Sequence, residues 1–351
     1  MFTPSRCSRG RVFVIGYPGD VGGANTECWH TVRLWRRRGW DVTLVPTWRP
    51  DAAWKARLEK IGCKTARAHP DNLAAVPGLA GGVVVSFCNS HFLRAAARFR
   101  QLRCRVVWVN CMTWLFAEER RHYRAQGPFD AYIFQSRYQR DTLGPQLASH
   151  GVRPEQHYLI RGAFWCDEYP LDPLWHEPGT PMVVGRISRA DSEKYASNLW
   201  GAYRRIPHPI RARVMAWNRR IERKVGTPPD WAECLPAGVE TPRAFLGSLH
   251  CLVPLNGGAA ENWPRVGLEA MAAGVPIVAE NRWGWREMIR HGKTGYLAKD
   301  EDEMAYYVAR LAHDEPHRQE MIHRARNVLQ EELANMEEIG DAWDRLFKAM
   351  M

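Results

Sequence analysis

The chain has 351 residues, of which 45% are hydrophobic and 25% are charged, as in a globular protein long enough for two domains. Its nine cysteines are odd in number and never spaced as C-x-x-C, which argues against a disulfide framework and a structural zinc site. No stretch approaches the ~20 apolar residues of a membrane span, and the N-terminus lacks the apolar core of a signal peptide. We therefore expect a cytoplasmic protein that is soluble or at most peripheral to a membrane.

The positive charge is confined to the first half of the chain. The formal net charge is +11, yet residues 1–150 alone hold 23 Lys and Arg against 10 Asp and Glu, and the remainder holds 26 against 28. A basic surface of this kind either keeps a protein soluble or binds an anionic partner. The candidate partners are nucleic acid, anionic lipid and a charged glycan.

The first half alternates apolar runs with helix-like segments. R-V-F-V-I-G predicts a buried strand, a Gly-rich turn follows it, and the pattern from Thr26 predicts a helix that stops at Gly39. Further runs that predict strands lie at 40–46, 82–87, 105–109 and 131–134. Strands that alternate with helices indicate a parallel, doubly wound sheet.

A second series of this kind follows a segment with four prolines between Gly162 and Pro181. Strands are predicted in P-M-V-V-G-R, A-R-V-M-A-W, L-H-C-L-V-P-L and V-P-I-V-A-E. Two such sheets would bind ligands beyond the carboxyl ends of their strands, so we expect the active site in a cleft between domains. The predicted organisation is an N-terminal Rossmann-like domain over 1–165, a linker over 166–181, a second Rossmann-like domain over 182–330 and a C-terminal helix over 331–351 that packs back toward the first domain.

The most informative segment spans residues 253–297. A strand ends at Leu255, a Gly-rich loop leads to Glu261, and a helix is predicted from about Pro264 to Ala273. Glu261 and Glu269 are eight residues apart, slightly more than two helical turns. The N–H groups at the helix start suit a diphosphate, and the two carboxylates can accept hydrogen bonds from sugar hydroxyls on either side.

The string L-E-A-M-A-A-G-V-P, followed by G-W-R-E-M-I-R-H-G-K-T-G-Y-L, resembles the family-four retaining glycosyltransferases (glycosyl transferases group 1). The resemblance implies an α/β GT-B architecture, in which two Rossmann-like doubly wound parallel-sheet domains face each other across a cleft. It also implies that Glu261 holds the transferred sugar and that Glu269 binds the donor ribose. The segment Asn262-Trp263-Pro264 replaces the family's usual Gly-Phe-Gly, and with Arg265 it is predicted to line the donor site.

The same family places a basic pair on the donor diphosphate. In V-V-G-R-I-S-R-A-D-S-E-K, Arg186 matches the Arg, while Lys194 and Arg189 compete for the place of the Lys. Cationic side chains on the leaving phosphate can replace a metal ion, and no D-x-D motif appears where the donor would sit. We therefore expect no essential metal. The resemblance implies a nucleotide-sugar donor, expected to be UDP-linked, no cofactor, and retention of the anomeric configuration.

Two features of the first half complete the predicted catalytic site. Gly22 and Gly23 follow the first strand, and the resemblance implies that this loop approaches the donor phosphate and the acceptor. The family usually has a His after a middle strand, where this chain has Asn110. His91 is the other candidate for that place, so the choice between them stays open.

The acceptor is expected on the basic first half. Arg33, Arg36 and Arg37 on one predicted helix, with Arg120 and Arg121 further along, are the predicted polyanion-binding residues. A hydroxymethylated base in DNA is the first acceptor hypothesis, narrowly ahead of an anionic lipid or a lipid-linked or membrane glycan. A nucleotide-sugar epimerase and a non-catalytic DNA-binding protein are the other hypotheses, and no obligate protein partner is predicted. Six tryptophans interleave with these arginines and could stack on bases or sugars, although most are expected in the core: Trp29, Trp35, Trp48, Trp54, Trp108 and Trp114.

Overall fold

The computed structural model describes residues 8–19 and 22–351, so Cys7 and the turn residues Asp20 and Val21 lie outside the described residues. The chain forms two compact units. The first contains the chain up to Phe164 together with Met336–Met351, and the second contains Trp165–Asn335. The segment 166–181 therefore belongs to the second unit, and the last helix belongs to the first.

The first unit is built on seven parallel strands in the order β3-β2-β1-β4-β5-β6-β7. The strand order changes direction between β1 and β4, which makes this pair the topological switch point of the sheet. The strands are β1 (Arg11–Ile15), β2 (Asp41–Val45), β3 (Lys64–Thr65), β4 (Val83–Phe87), β5 (Arg105–Val109), β6 (Ala131–Phe134) and β7 (His157–Leu159).

The central strands of this sheet are apolar along their whole length. All five residues of β4 and all four of β6 are buried, as expected for a parallel sheet with both faces covered. Helix α1 ends as predicted, because Gly39 adopts the left-handed backbone (φ 91°) that stops a helix. The helices are α1 (Gly23–Arg37), α2 (Ala52–Lys60), α3 (Ser90–Gln101), α4 (Ala117–Gln126) and α5 (Arg137–Ala148).

The second unit has a sheet in the order β10-β9-β8-β11, and a bridge between Leu252 and Ile277 continues it into the pair β12-β13. The combined order is that of a Rossmann sheet, with its switch point between β8 and β11. The strands are β8 (Met182–Ile187), β9 (Ile210–Met215), β10 (Ala232–Leu235), β11 (Cys251–Leu252), β12 (Val278–Glu280) and β13 (Tyr296–Ala298). The helices are α6 (Leu199–Arg204), α7 (Arg219–Val225), α8 (Pro242–Gly247), α9 (Arg265–Ala273), α10 (Trp285–Met288), α11 (Glu301–His313) and α12 (Glu315–Val328).

Helix α12 fixes the segment that precedes β8. Arg318 forms a fully buried ion pair with Glu315 and also donates to the carbonyl of Leu174. Two turns further along, Arg326 donates to the carbonyl of Tyr169 at 3.0 Å. These bonds to main-chain oxygens give the proline-rich segment a fixed path on the second unit.

The last helix, α13 (Met336–Met350), packs in the first unit against α1. Trp35 meets Trp343 edge to face, with ring centroids 4.8 Å apart. Asp344 accepts from Trp40 Nε1 at 2.7 Å and pairs with Arg38 at 2.8 Å. Apolar burial and a buried charge pair therefore both hold this helix.

The parallel α/β fold class predicted from the sequence is confirmed. The predicted apolar runs correspond to β1, β2, β4, β5, β6, β8, β9, β11 and β12. The sequence did not single out β3, β7, β10 and β13, which have two to four residues each and therefore too few positions for a recognisable pattern. Among the described residues, no helix combines the length and the apolar content needed to cross a bilayer.

Candidate functional site

The loops that follow β8 and β11 leave the second sheet on either side of its switch point. In open α/β sheets, ligands bind beyond the carboxyl ends of the strands at this point. The loop after β8 carries Arg189 and Lys194, and the loop after β11 runs from Val253 through two glycines to Glu261. This edge of the second sheet is the candidate site.

A carboxylate and an ammonium group meet at this edge. Lys194 Nζ donates to Glu261 Oε1 at 2.7 Å, and Asn256 Nδ2 donates to the same oxygen at 3.0 Å. The side chains remain 15% exposed for Lys194 and 20% exposed for Glu261. The fold thus brings together two residues, 67 positions apart, that were predicted for one ligand. A partly solvated pair of this kind can exchange its mutual contact for the hydroxyls and phosphates of a ligand.

The two loops lie so close that one position requires glycine. A Cβ on Gly257 would stand 2.0 Å from the carbonyl oxygen of Tyr195 and 2.9 Å from Lys224 Nζ. Lys224 Nζ donates to the carbonyl of Ser192 at 2.9 Å, which fixes the loop after β8 from its other side. The close contact between these loops sets the position of Lys194 opposite Glu261.

Arg186 is buried beneath these loops, at 2% exposure. Its guanidinium donates to the carbonyls of Leu255 and Lys194 and lies 4.0 Å from the centre of the Tyr195 ring. Burial lowers the pKa of Arg186, and the surrounding tyrosines and carboxylates oppose that shift. In this arrangement Arg186 joins the two loops from below. The direct diphosphate contact expected from the sequence stays a prediction.

Helix α9 begins at this edge and ends as predicted. Its N-cap residue, Pro264, provides no side-chain hydrogen bond to the first turn, and Gly274 closes the helix in the left-handed conformation (φ 82°). The positive end of the helix dipole is therefore not neutralised by a capping side chain. Asn262 and Trp263 are buried just before it, and the N–H of Gly284 donates to the carbonyl of Glu261 at 2.8 Å.

Glu269 lies about one turn into α9. The hydroxyl of Tyr169 donates to its carboxylate, and Arg265 is the nearest opposing cation. Burial raises the pKa of Glu269, while Arg265 and the hydrogen bond from Tyr169 act in the opposite direction. Its ribose-binding role stays a prediction, and so do the donor contacts predicted for Asn262, Trp263, Pro264 and Arg265. Arg189, the rival of Lys194, is exposed on the same loop.

The residues predicted in the first unit lie at its own switch point or beside it. Gly22 is the N-cap of α1, with φ 95°, and Gly23 is its first residue. His91 is exposed in the first turn of α3, and its N–H donates to the side chain of Asn89 at 3.0 Å. Asn110 is buried, and its amide donates to the carbonyl of Ile133 at 3.1 Å. Of the two candidates for the family's His, only His91 presents its side chain to solvent.

The predicted polyanion-binding arginines differ in what their guanidinium groups do. Arg36 donates to the carbonyls of Trp40 at 2.6 Å and Ile61 at 3.1 Å, so it holds the end of α1 to neighbouring loops. Arg120 is exposed but donates to the carbonyl of Leu115 at 2.6 Å. Arg121 is exposed on α4. Arg33 and Arg37 lie on α1 with Arg36.

Comparison with known proteins identifies a sequence family and several solved structures that this chain resembles. Residues 240–328 match the sequence profile of the family described as Glycosyl transferases group 1. A stretch of 47 residues is 47% identical to spore coat protein SA of Bacillus subtilis (strain 168), and it covers 13% of this chain and 12% of that protein. In structure, the chain resembles Anabaena Alr3699/HepE, solved in complex with UDP-glucose, with a TM-score of 0.75 and 17% identity over 97% of this chain and 99% of that one. It also resembles a mutant of TarM from S. aureus, solved with Fondaparinux, alpha-GlcNAc-glycerol and UDP, with a TM-score of 0.75 and 12% identity over 96% and 99%.

The chain has the GT-B fold. The profile match begins at the start of α8 and ends with α12, so it contains the Gly-rich loop, Glu261 and the whole of α9. Arg186 and Lys194, which complete the candidate site, lie outside the matched range.

Several residues of this GT-B site were not predicted from the sequence. Asn256 bonds Glu261, and its own N–H donates to Glu280 Oε2 at 3.1 Å. Burial raises the pKa of Glu280, and its ion pair with Arg282 opposes that shift. Asn256 immediately precedes the glycine pair, and Glu280 ends a strand. Polar residues at strand ends are therefore the sequence feature that could have identified both residues. Tyr169 had no such signal, because only the path of the segment before β8 brings it to Glu269.

Proposed function

We propose that this chain is a glycosyltransferase that moves a hexose from a UDP-linked donor to a hydroxyl of an acceptor, with retention of configuration and without an essential metal. The observation that carries the proposal is the contact of Lys194 and Asn256 with Glu261, beside the uncapped start of α9 at the switch point of the second sheet. An anionic group and a polyhydroxyl group can both be bound there. A UDP-sugar contains both.

The donor would be held by three kinds of group on the second unit. The positive end of α9 attracts the diphosphate, and Lys194 supplies a full charge to it. Glu261, released from Lys194, accepts hydrogen bonds from the sugar hydroxyls. Glu269 accepts from the ribose, in the place where it now accepts from Tyr169. The UDP-glucose bound to Alr3699/HepE supports a uridine diphosphate donor.

The proposed chemistry is displacement on one face of the sugar. The acceptor oxygen forms a bond to the anomeric carbon while the bond from that carbon to the diphosphate oxygen breaks. The departing phosphate oxygen takes the acceptor's proton, and Lys194 stabilises the charge that remains on the diphosphate. Arg186 acts as a positioning residue, because its bonds to the carbonyls of Leu255 and Lys194 fix the loops that carry the reacting groups. Most of the rate enhancement would come from orientation and charge stabilisation.

The acceptor belongs, in this proposal, to the first unit, which carries the positive charge. A hydroxymethylated base in DNA remains the first acceptor expected from that charge, with a lipid-linked or membrane glycan as the alternative. Because Arg36 is engaged with main-chain oxygens and pairs with Asp41 at 3.2 Å, fewer arginines are available for direct contact with a partner than the sequence count indicates. Salt-dependent binding of duplex DNA without binding to anionic vesicles would support the first acceptor, and the reverse result would support the second.

The donor half of the proposal is testable without knowing the acceptor. Calorimetric titration with UDP should give saturable binding that Lys194→Ala weakens by about tenfold, because it removes one cation from the diphosphate. Incubation with radiolabelled UDP-hexoses in excess EDTA should release UDP slowly by transfer to water. Failure to bind any uridine diphosphate would overturn the proposal, and complete inhibition by EDTA would overturn its metal-free form.

A further inference from the structure

The tryptophans of the first unit separate into two groups. Trp29, Trp35, Trp54 and Trp108 are buried at 6% exposure or less, as expected of core residues. Trp48 and Trp114 are instead 43% and 44% exposed. Single apolar side chains scattered over a surface need no explanation. These two exposed rings, however, occupy equivalent places in the fold.

Both exposed rings follow strands of the first sheet at its carboxyl edge. Trp48 lies three residues after the end of β2, and Trp114 lies five residues after the end of β5. In the strand order, β2 and β5 flank the central pair β1 and β4, where the switch point lies. Three strand spacings separate β2 from β5, or about 14 Å. The two loops therefore stand on either side of the place where this sheet is expected to bind a ligand.

The loop that carries Trp48 is tied to the centre of the sheet. Asn89, the N-cap of α3, donates through Nδ2 to Thr47 Oγ1 at 2.9 Å and to the carbonyl of Ile15 at 3.4 Å. One amide thus links the residue before Trp48 to the end of β1. The indole is presented to solvent by a backbone that is already fixed.

The loop that carries Trp114 is held in the same way. Gln139 Nε2 donates to the carbonyls of Asn110 at 2.9 Å and Met112 at 2.7 Å, and Leu115 directly after the tryptophan is buried. Only the indole projects from an otherwise packed loop. Rigid aromatic side chains that need no ordering on binding lose little entropy, which favours recognition.

We infer that Trp48 and Trp114 are stacking platforms for the sugar rings of an acidic oligosaccharide acceptor, in place of the DNA acceptor that charge alone suggests. This inference rests on the proposed glycosyltransferase function. Each indole offers a flat apolar face to the C–H face of a pyranose, and its N–H remains available for a hydroxyl. The separation of the two loops fits an extended chain of several sugars rather than a single ring. Arg49 follows Trp48 directly, Arg121 follows Trp114 by seven residues, and both arginines are exposed. Their guanidinium groups would pair with carboxylate or phosphate groups on such a chain.

The experiment is an array of immobilised neutral and acidic oligosaccharides, with duplex DNA on the same surface, probed with the labelled full chain. The wild-type chain should be retained by a subset of the acidic oligosaccharides. Trp48→Ala and Trp114→Ala should each weaken that retention by about tenfold. Trp175→Ala is the matched control, because this tryptophan is 61% exposed on the second unit and its loss should leave retention unchanged. Trp48→Phe and Trp114→Phe keep a ring and should recover most of the affinity, which separates stacking from a folding defect.

Three outcomes would overturn the inference. In the first, no oligosaccharide retains the wild-type chain. In the second, the oligosaccharides retain both alanine variants as strongly as the wild-type chain. In the third, only DNA retains the chain, and that retention depends on Trp48 and Trp114. Titration with UDP separates this failure from failure of the proposed function. A chain that binds UDP but no oligosaccharide contradicts only the acceptor inference, whereas a chain that does not bind UDP contradicts the glycosyltransferase proposal itself.

Discussion

The carboxyl edges of the two sheets share a topology and differ in chemistry. Each sheet reverses its strand order once, between β1 and β4 in the first unit and between β8 and β11 in the second. At the edge of the second sheet, Lys194 and Glu261 form a partly exposed ion pair. At the edge of the first sheet, Asn89 is bonded to main-chain and side-chain oxygens, and the exposed groups include two indole rings and His91.

This difference is the basis of the two kinds of recognition that we propose. A Rossmann sheet fixes where a ligand binds, but the loops decide which ligand that is. Charged side chains beside a helix start suit a diphosphate, whereas flat rings on fixed loops suit sugar faces. The donor and acceptor functions are thus assigned to different units on chemical grounds, and mutations can test each assignment separately.

The largest effect on turnover should come from Glu261, the carboxylate at the carboxyl edge of the second sheet. Glu261→Gln keeps the size of the side chain but removes its charge, so the bond from Lys194 weakens and the sugar hydroxyls lose a charged acceptor. We expect turnover to fall by about 1,000-fold, with UDP affinity nearly unchanged. Measured transfer from a radiolabelled UDP-hexose should therefore separate kcat from donor binding. Glu177→Gln, at an exposed position of the same unit, is the control, and turnover in Glu261→Gln equal to that of the control would refute the site.

A second large effect should come from the contact between the two loops. Gly257→Ala places a methyl group 2.0 Å from the carbonyl oxygen of Tyr195, so the loops must separate and Lys194 must move. We expect UDP affinity to fall by about tenfold, as in Lys194→Ala, and turnover to fall by about 100-fold, since both depend on the position of Lys194. Gly201→Ala is the matched control, because a Cβ there meets nothing within 4 Å and alanine favours the helix. A Gly257→Ala enzyme with normal kinetics would mean that the loop contact does not position the site.

The sequence predicted the charged residues of the second edge better than their surroundings. The motif predicts Glu261 by its spacing and Lys194 only by residue type, with Arg189 as its rival, and the structure places Lys194 Nζ 2.7 Å from Glu261 Oε1. For Arg186 the sequence predicts a contact with the diphosphate, which stays a prediction, and does not predict that the guanidinium also bonds two main-chain oxygens. A sequence pattern records residue type and spacing, whereas the direction of a long side chain depends on which carbonyls the fold leaves nearby. Tyr169 illustrates the same limit, since the bonds from α12 alone bring it to Glu269.

The ligand-binding residues at the carboxyl edge of the first sheet are harder to predict from the sequence, for a related reason. The arginine count of the first unit indicated a polyanion surface, but a count does not reveal that Arg36 is engaged with the carbonyls of Trp40 and Ile61. Likewise, six tryptophans look alike in the sequence, and only packing shows that Trp48 and Trp114 remain exposed. Burial is a tertiary property, and it decides here which residues are available to a partner.

Acid should weaken both units through buried histidines. Burial lowers the pKa of His122 in the first unit and of His250 in the second to about 4, against about 6.5 when unfolded. Below pH 6.5 the unfolded chain binds protons that the folded chain does not, so stability is complete above pH 6.5 and falls as pH drops toward 4. Each histidine should cost about 2 kcal/mol of unfolding free energy between pH 7 and pH 5. Urea unfolding at the two pH values measures this.

The variant His122→Phe sharpens that measurement. The imidazole stacks on Phe129 with ring centroids 4.7 Å apart, so a phenyl ring fits the same place without a titratable group. The pH dependence of unfolding should decrease by the share of one histidine. An identical pH dependence in wild type and His122→Phe would show that His122 titrates normally in the folded chain.

The smallest effects should distinguish His91 from Asn110 at the first edge. Asn110→Ala removes a buried amide that donates to the carbonyl of Ile133, so the free energy of unfolding should fall by about 1 kcal/mol with turnover unchanged. His91→Ala removes an exposed ring, so stability should stay constant while turnover falls about fivefold, the loss of one weak polar contact to a reactant. Thermal unfolding and transfer rates measured on both variants check the pair. If His91→Ala retains full turnover, His91 takes no part in the reaction, and the chemical contrast between the two edges becomes sharper.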